Sequence, residues 1–144
     1  PGLPFALTEK LRVTALAVPH RDEDSDTVAF LVQGPSRKLL WLPDIDRWEK
    51  WDRPIARVLA GVSVAYLDGT FYSANEIPGR SIADIPHPLV PDTVSLLSAK
   101  GKPTATVFFV HLNHTNRLLW DKQAAAGLKT QGFFVAKEGA RHPL

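Results

Sequence analysis

The stretch Val107-Phe108-Phe109-Val110, followed at once by His111-Leu112-Asn113-His114-Thr115-Asn116, constrains this chain more than any other. Four consecutive apolar residues, β-branched or aromatic, form a strand buried on both faces, which places it inside a helix-covered sheet. Its abrupt end in histidine, asparagine and threonine delivers polar, metal-ligating groups to the rim where open α/β sheets hold ligands. Read as turn chemistry, the same residues would only close a loop. An earlier apolar run, Leu39-Leu40-Trp41-Leu42, ends the same way in Pro43-Asp44-Ile45-Asp46, and this tips the reading toward a functional rim.

The rest of the chain supplies the sheet. After an irregular, proline-containing lead-in over 1–9, β-forming runs at 11–18 (LRVTALAV) and 27–33 (TVAFLVQ) flank a charged turn, RDEDSD at 21–26. Gly34-Pro35-Ser36-Arg37 turns the chain into a third strand at 38–42, so residues 27–42 form a hairpin. Residues 46–51 (DRWEKW) suit a short helical turn opened by an aspartate, and a second starts at Pro54 and ends at Gly61. A strand over 62–67 (VSVAYL) stops at Asp68-Gly69-Thr70. The segment 71–88, with Gly79-Arg80 and Pro86-His87-Pro88 as landmarks, has the length and composition of a functional loop. A helix over 91–99, the strand at 104–110, a helix within 118–128 and a strand at 132–136 complete the chain. Antiparallel strands followed by strands alternating with helices predict an α/β mixed sheet with helices on one face, to which Trp41, Trp48 and Trp51 add cover.

Composition sets the limits on function. The 144 residues make one domain, 44% apolar and 22% charged, with a net charge of +2 and no dense run of lysine and arginine. That argues for neither nucleic acid nor an acidic membrane surface as partner. There is no cysteine, so any metal must be held by histidine and carboxylate. No apolar run reaches the roughly 18 residues of a membrane span, and no signal peptide opens the chain, so the expected location is cytoplasmic. The chain starts Pro1-Gly2-Leu3-Pro4 and contains no methionine, from which a longer parent protein is expected.

Each chemically capable residue follows a predicted strand: His20 the first, Asp44 the third, Asp68 the fourth and His111 the last long one. If those strands run the same way, the four share one rim, and two imidazoles with a carboxylate there could hold zinc, iron or manganese. Taken singly, each is equally a turn residue or a cap.

The succession V-P-H at 18–20, L-P-D at 42–44, L-D-G-T-F at 67–71, I-P-H-P at 85–88 and V-H-L-N-H-T-N at 110–116 resembles the C-terminal half of metallo-β-lactamase-fold hydrolases. It is most similar to the PqqB-like branch, named for pyrroloquinoline quinone biosynthesis, and the resemblance extends over residues 11–140. It implies half of an αββα sandwich with a divalent metal site, zinc first, at one edge, and a small-molecule substrate. By that resemblance His20, Asp44 and His111 are metal ligands, with Asp44 the bridging carboxylate. His87 takes the place of a histidine beside the reacting group, and Asp68 that of an acid orienting it. His114, Thr115 and Asn116 correspond to a loop lining the substrate site, although Arg117 replaces the usual proline.

The family's H-x-H-x-D-H motif, which supplies the other ligands, is absent from the chain. Two functional classes therefore stand. One is a metal-dependent hydrolase of esters, lactones or phosphodiesters seen in part, with a PqqB-like role in cofactor biosynthesis as a close variant. The other is a non-catalytic binding or carrier module. In either case the resemblance implies a partner for the open side of the sheet, an N-terminal half or a second copy, with Phe30, Leu40 and Phe109 in some combination expected on that open face. His142, in the polar C-terminal tail, is expected to be solvated.

Overall fold

The computed structural model describes residues 2–21, 23, 25–79, 81 and 85–144. Asp22 and Asp24 of the charged turn, and Arg80 of the long loop, lie outside the described residues. Among the described residues, seven strands form one sheet in sequence order: β1 (Phe5–Ala6), β2 (Arg12–Ala17), β3 (Val28–Gln33), β4 (Lys38–Leu42), β5 (Val64–Asp68), β6 (Thr106–Val110) and β7 (Phe133–Val135). β1 to β4 pair antiparallel, and β4 to β7 parallel. The expected mixed α/β sheet is present. The lead-in differs from expectation, because Phe5 and Ala6 pair with Val13 and Arg12 to make the edge strand β1.

Among the described residues, three α-helices connect the later strands: α1 (Ile55–Val58), α2 (Val90–Ser98) and α3 (Lys122–Thr130). The single helix expected within 118–128 is instead a 3₁₀ turn at Arg117–Leu119 followed by α3. Two polar caps divide them: Asn116 accepts from the Leu118 N–H, and Asp121 from the N–H groups of Gln123 and Ala124. The Arg117 guanidinium beside Asp121, with those backbone donors, holds its carboxyl below the usual carboxylate range.

One face of the sheet carries the core. Leu40, Leu42, Ala65, Leu67, Val107, Phe109 and Phe133 pack there against Ile55, Val90, Val94, Leu97 and Leu128 from the helices. Trp48 extends this layer, donating its indole N–H to Thr93 Oγ1 at 2.8 Å, and Trp51 donates to the Ala17 carbonyl at 2.8 Å.

The other face bears an aromatic row, Phe30, Trp41, Tyr66, Phe108 and Phe134, aligned by direct register across β3 to β7, so Trp41 does not join the helix-side cover expected of it. Neighbouring rings along it stand 5.2–5.5 Å apart from Trp41 to Phe134. Phe30 and Trp41 remain 38% and 39% exposed, whereas Tyr66 is covered by the C-terminal segment. His142 lies on it, its Nε2 2.7 Å from the Tyr66 hydroxyl and its ring against Phe108. Burial pushes the Tyr66 phenol up. His142, expected to be a solvated tail residue, is thus half-buried and bonded. Expecting Leu40 and Phe109 on the open face together with Phe30 also needs correction: both are fully buried on the helix side.

Candidate metal and acid–base site

The strand directions decide where the polar residues meet. β2 is antiparallel to β3 and β3 to β4, so β2 points the same way as β4, β5 and β6. The carboxyl ends of these four strands form one rim, and His20, Asp44, Asp68 and His111 all stand on it. The loops lock that placement. Asp46 N–H donates to the Pro19 carbonyl at 2.7 Å, and Ile45 N–H to Asp68 Oδ2 at 3.0 Å, so the backbone beyond Asp44 is tied to both flanking loops.

His87 arrives by a longer route. The loop after β5 leaves the sheet at Phe71 and returns at Leu89, where the two residues form a parallel bridge and Val90 N–H donates to the Phe71 carbonyl. The return point lies beside the departure point, so His87 is brought back against Asp68 and Thr70. Prolines on both sides restrict its backbone, and its N–H reaches the Ile85 carbonyl at 2.9 Å across Pro86.

Asp68 is fully buried and accepts from every side. Its Oδ1 takes the Thr70 N–H at 2.9 Å and the Thr70 hydroxyl at 2.8 Å; its Oδ2 takes Ile45 N–H and His87 Nδ1 at 2.8 Å. An ionised carboxylate only accepts, so His87 carries its proton on Nδ1 and keeps the Nε2 lone pair free.

Asp44 is the meeting point of the imidazoles. Its Oδ1 lies 3.3 Å from His111 Nδ1, 3.7 Å from His20 Nε2 and 3.8 Å from His87 Nδ1. The rings of His20 and His87 are 5.2 Å apart, and those of His87 and His111 5.8 Å. These residues line a cleft of about 430 Å³ with Arg21, Phe71, Ile77, Ile85 and Pro86, within the size range of small-molecule sites. His111 itself is the one described residue other than glycine with positive φ, +60°. That left-handed conformation costs energy for a side chain with a Cβ and is common where a site aims its residues.

The donor set fits a divalent cation. Single ligand atoms from His20, Asp44 and His87 lie within 4.8 Å of one another, and so do those from Asp68, His87 and His111. The Nδ1 of His20 is buried without a hydrogen-bond partner among the described residues, a nitrogen whose desolvation nothing there offsets. Nitrogen and carboxylate oxygen are the donors zinc, iron and manganese take.

The structure therefore gathers His20, Asp44, Asp68, His87 and His111, and places His114, Thr115 and Asn116 outside the cleft lining. His114 is exposed, and the Thr115 hydroxyl accepts from the Asn113 side chain. Asn116 is fully buried; its Nδ2 donates to the carbonyls of Gly69 at 2.7 Å and Thr70 at 3.2 Å, so it braces the turn beneath the site. That turn needs its glycine, because a Cβ at Gly69 would stand 2.7 Å from Phe109 Cβ. Sequence reading missed Thr70, whose Oγ1 lies 3.0 Å from His111 Nδ1 and 3.2 Å from His87 Nδ1. It was visible only as the threonine of L-D-G-T-F.

The comparisons with known proteins bear on the fold. PqqB from Methylobacterium extorquens, solved with Zn²⁺ bound, has a similar fold at a TM-score of 0.80 and 22% identity, over 99% of this chain and 50% of PqqB. The metallo-beta-lactamase fold protein YhfI from Bacillus subtilis is similar at a TM-score of 0.63 and 13% identity, over 97% of this chain and 52% of YhfI. The chain thus spans about half the length of both. No curated protein matches the sequence. The description of the beta-lactamase superfamily domain fits residues 1–112, and the chain belongs to that superfamily, with a metallo-β-lactamase fold like that of PqqB.

Proposed function

We propose that this chain is the C-terminal half of a metal-dependent hydrolase acting on an ester, lactone or phosphodiester. The observation that carries the reading is the convergence of His20, His87 and His111 on the Asp44 carboxylate at the carboxyl rim of the sheet. In this reading His20, Asp44 and His111 hold the metal, zinc by preference, and the H-x-H-x-D-H ligands come from the other half. A divalent metal bound there supplies a Lewis acid and lowers the pKa of water toward neutrality. His87, held in the Nδ1–H form by Asp68, offers Nε2 to take or return a proton at the substrate. Phe71, Ile77 and Ile85 give the cleft an apolar wall that limits water. The Zn²⁺ in PqqB supports the choice of metal.

Elemental analysis of the complete protein tests the reading. Asp44→Ala is expected to lose most of its bound metal, because removing Asp44 takes away a carboxylate oxygen that lies within 3.8 Å of all three imidazoles. Equal metal in Asp44→Ala and the parent would remove Asp44 from the ligand set. His142, placed over Tyr66 on the open face, serves as the control and should leave metal content unchanged when replaced by alanine.

The open face fits a partner in the same reading. Stacked sheets pack about 10 Å apart through apolar side chains, and Phe30 and Trp41 present such a surface beyond the area His142 covers. The N-terminal half is the proposed occupant, with a second copy when the chain is prepared alone. Sedimentation of the 144-residue chain should show association, together with binding of a hydrophobic dye. A dye-silent monomer would count against an unfilled face.

A further inference from the structure

We infer that Thr70 is the positioning residue that sets the tautomer of His111 and links it to the Asp68–His87 pair. Its hydroxyl has one proton, and the Asp68 Oδ1 carboxylate oxygen at 2.8 Å can only accept, so that proton goes to Asp68. The lone pairs of the same oxygen then face His111 Nδ1 at 3.0 Å and His87 Nδ1 at 3.2 Å. A nitrogen facing a lone pair must carry hydrogen. His111 is therefore in the Nδ1–H form, with its Nε2 lone pair left for a cation or a substrate proton, as in His87.

This arrangement makes one direction of hydrogen bonding run through the whole site. Asp68 accepts from Thr70 and His87, Thr70 accepts from His111, and both imidazoles end with the same nitrogen free. Two histidines from separate segments, the 72–88 loop and the end of β6, are thereby held in one protonation pattern by a single hydroxyl and a single carboxylate. Thr70 is itself fixed: it is nearly buried, its N–H is bonded to Asp68, and its carbonyl accepts from Asn113 N–H and Asn116 Nδ2. The strained backbone of His111 fits this role, since the left-handed turn stands where the imidazole meets Thr70. Asp44 Oδ1, 3.3 Å from the same nitrogen, is the competing acceptor.

Long-range ¹H–¹⁵N spectra of the imidazoles decide between them, recorded on the metal-free complete protein at a pH where the histidines are neutral. In the parent, His87 and His111 should both be Nδ1–H. Thr70→Val, of the same shape without the hydroxyl, should move His111 toward Nε2–H while His87, held by Asp68, stays. Thr70→Ser should restore the parent pattern, and Asp44→Ala should leave His111 unchanged. An Nε2–H His111 in the parent would overturn the inference even if Thr70→Val failed to fold. So would conversion of His111 by Asp44→Ala rather than by Thr70→Val. The consequence for metal rests on the proposed function: zinc affinity should fall about 10–100-fold in Thr70→Val and recover in Thr70→Ser. An unchanged affinity beside a shifted tautomer would sink the metal site and leave the Thr70 assignment standing.

Discussion

His87→Ala in the complete protein is expected to keep its metal and to lose turnover by roughly 10²–10⁴-fold, the usual range for a positioned acid or base. The metal is retained because the proposed ligands His20, Asp44 and His111 keep their own anchors: the Asp46–Pro19 bond, the Ile45–Asp68 bond and the Thr70 hydroxyl. The rate falls because the Nε2 of His87, freed by the bond from Nδ1 to Asp68, is the proton-carrying group of the cleft that the proposed metal does not use. Steady-state kinetics with elemental analysis on the same preparation reads both quantities. Parent-like turnover would return His87 to the loop. Loss of metal with the rate would instead make it a ligand, since imidazoles backed by a carboxylate commonly bind metal.

Asp68→Asn should be the more disruptive change for the fold. The carboxylate is fully buried and offers two oxygens to four donors. An amide keeps one acceptor and turns two hydrogens toward the other pair. With the amide nitrogen in the Oδ2 position, Ile45 N–H loses its acceptor and His87 must switch tautomer to accept. In the Oδ1 position, the Thr70 hydroxyl can rotate but Thr70 N–H cannot. Either way a buried backbone donor is left unpaired, at a cost of about 1–3 kcal/mol. Urea denaturation should show that loss, and turnover should fall with metal still bound. An unchanged midpoint would mean that water or a backbone shift supplies the missing acceptor.

Much of this was legible along the chain because it depends on local physics. Strand positions follow from β-branched and aromatic runs bounded by turn residues, and their alternation with helices implied a mixed sheet. His20, Asp44, Asp68 and His111 were readable as one rim because each directly follows a strand, and parallel strands put their ends together. The absence of the H-x-H-x-D-H motif could likewise be read without coordinates.

The tertiary structure decided the rest. Which face Leu40 and Phe109 occupy could not be read, because strands in a parallel sheet are apolar on both sides and the pattern loses its period-two signal. Asn116 looked like a site residue, yet its amide is consumed by the carbonyls of Gly69 and Thr70, 46–47 positions earlier. Docking of His142 on Tyr66 joins residues 76 positions apart. Thr70 shows the limit most clearly: a threonine after Asp-Gly is ordinary turn chemistry in sequence. Its role arises only when β5, β6 and the returning loop bring a carboxylate and two imidazoles within 2.8–3.2 Å of one hydroxyl. A hydrogen bond that short depends on both partners' placement in space, and the chain order of residues so far apart carries no record of it.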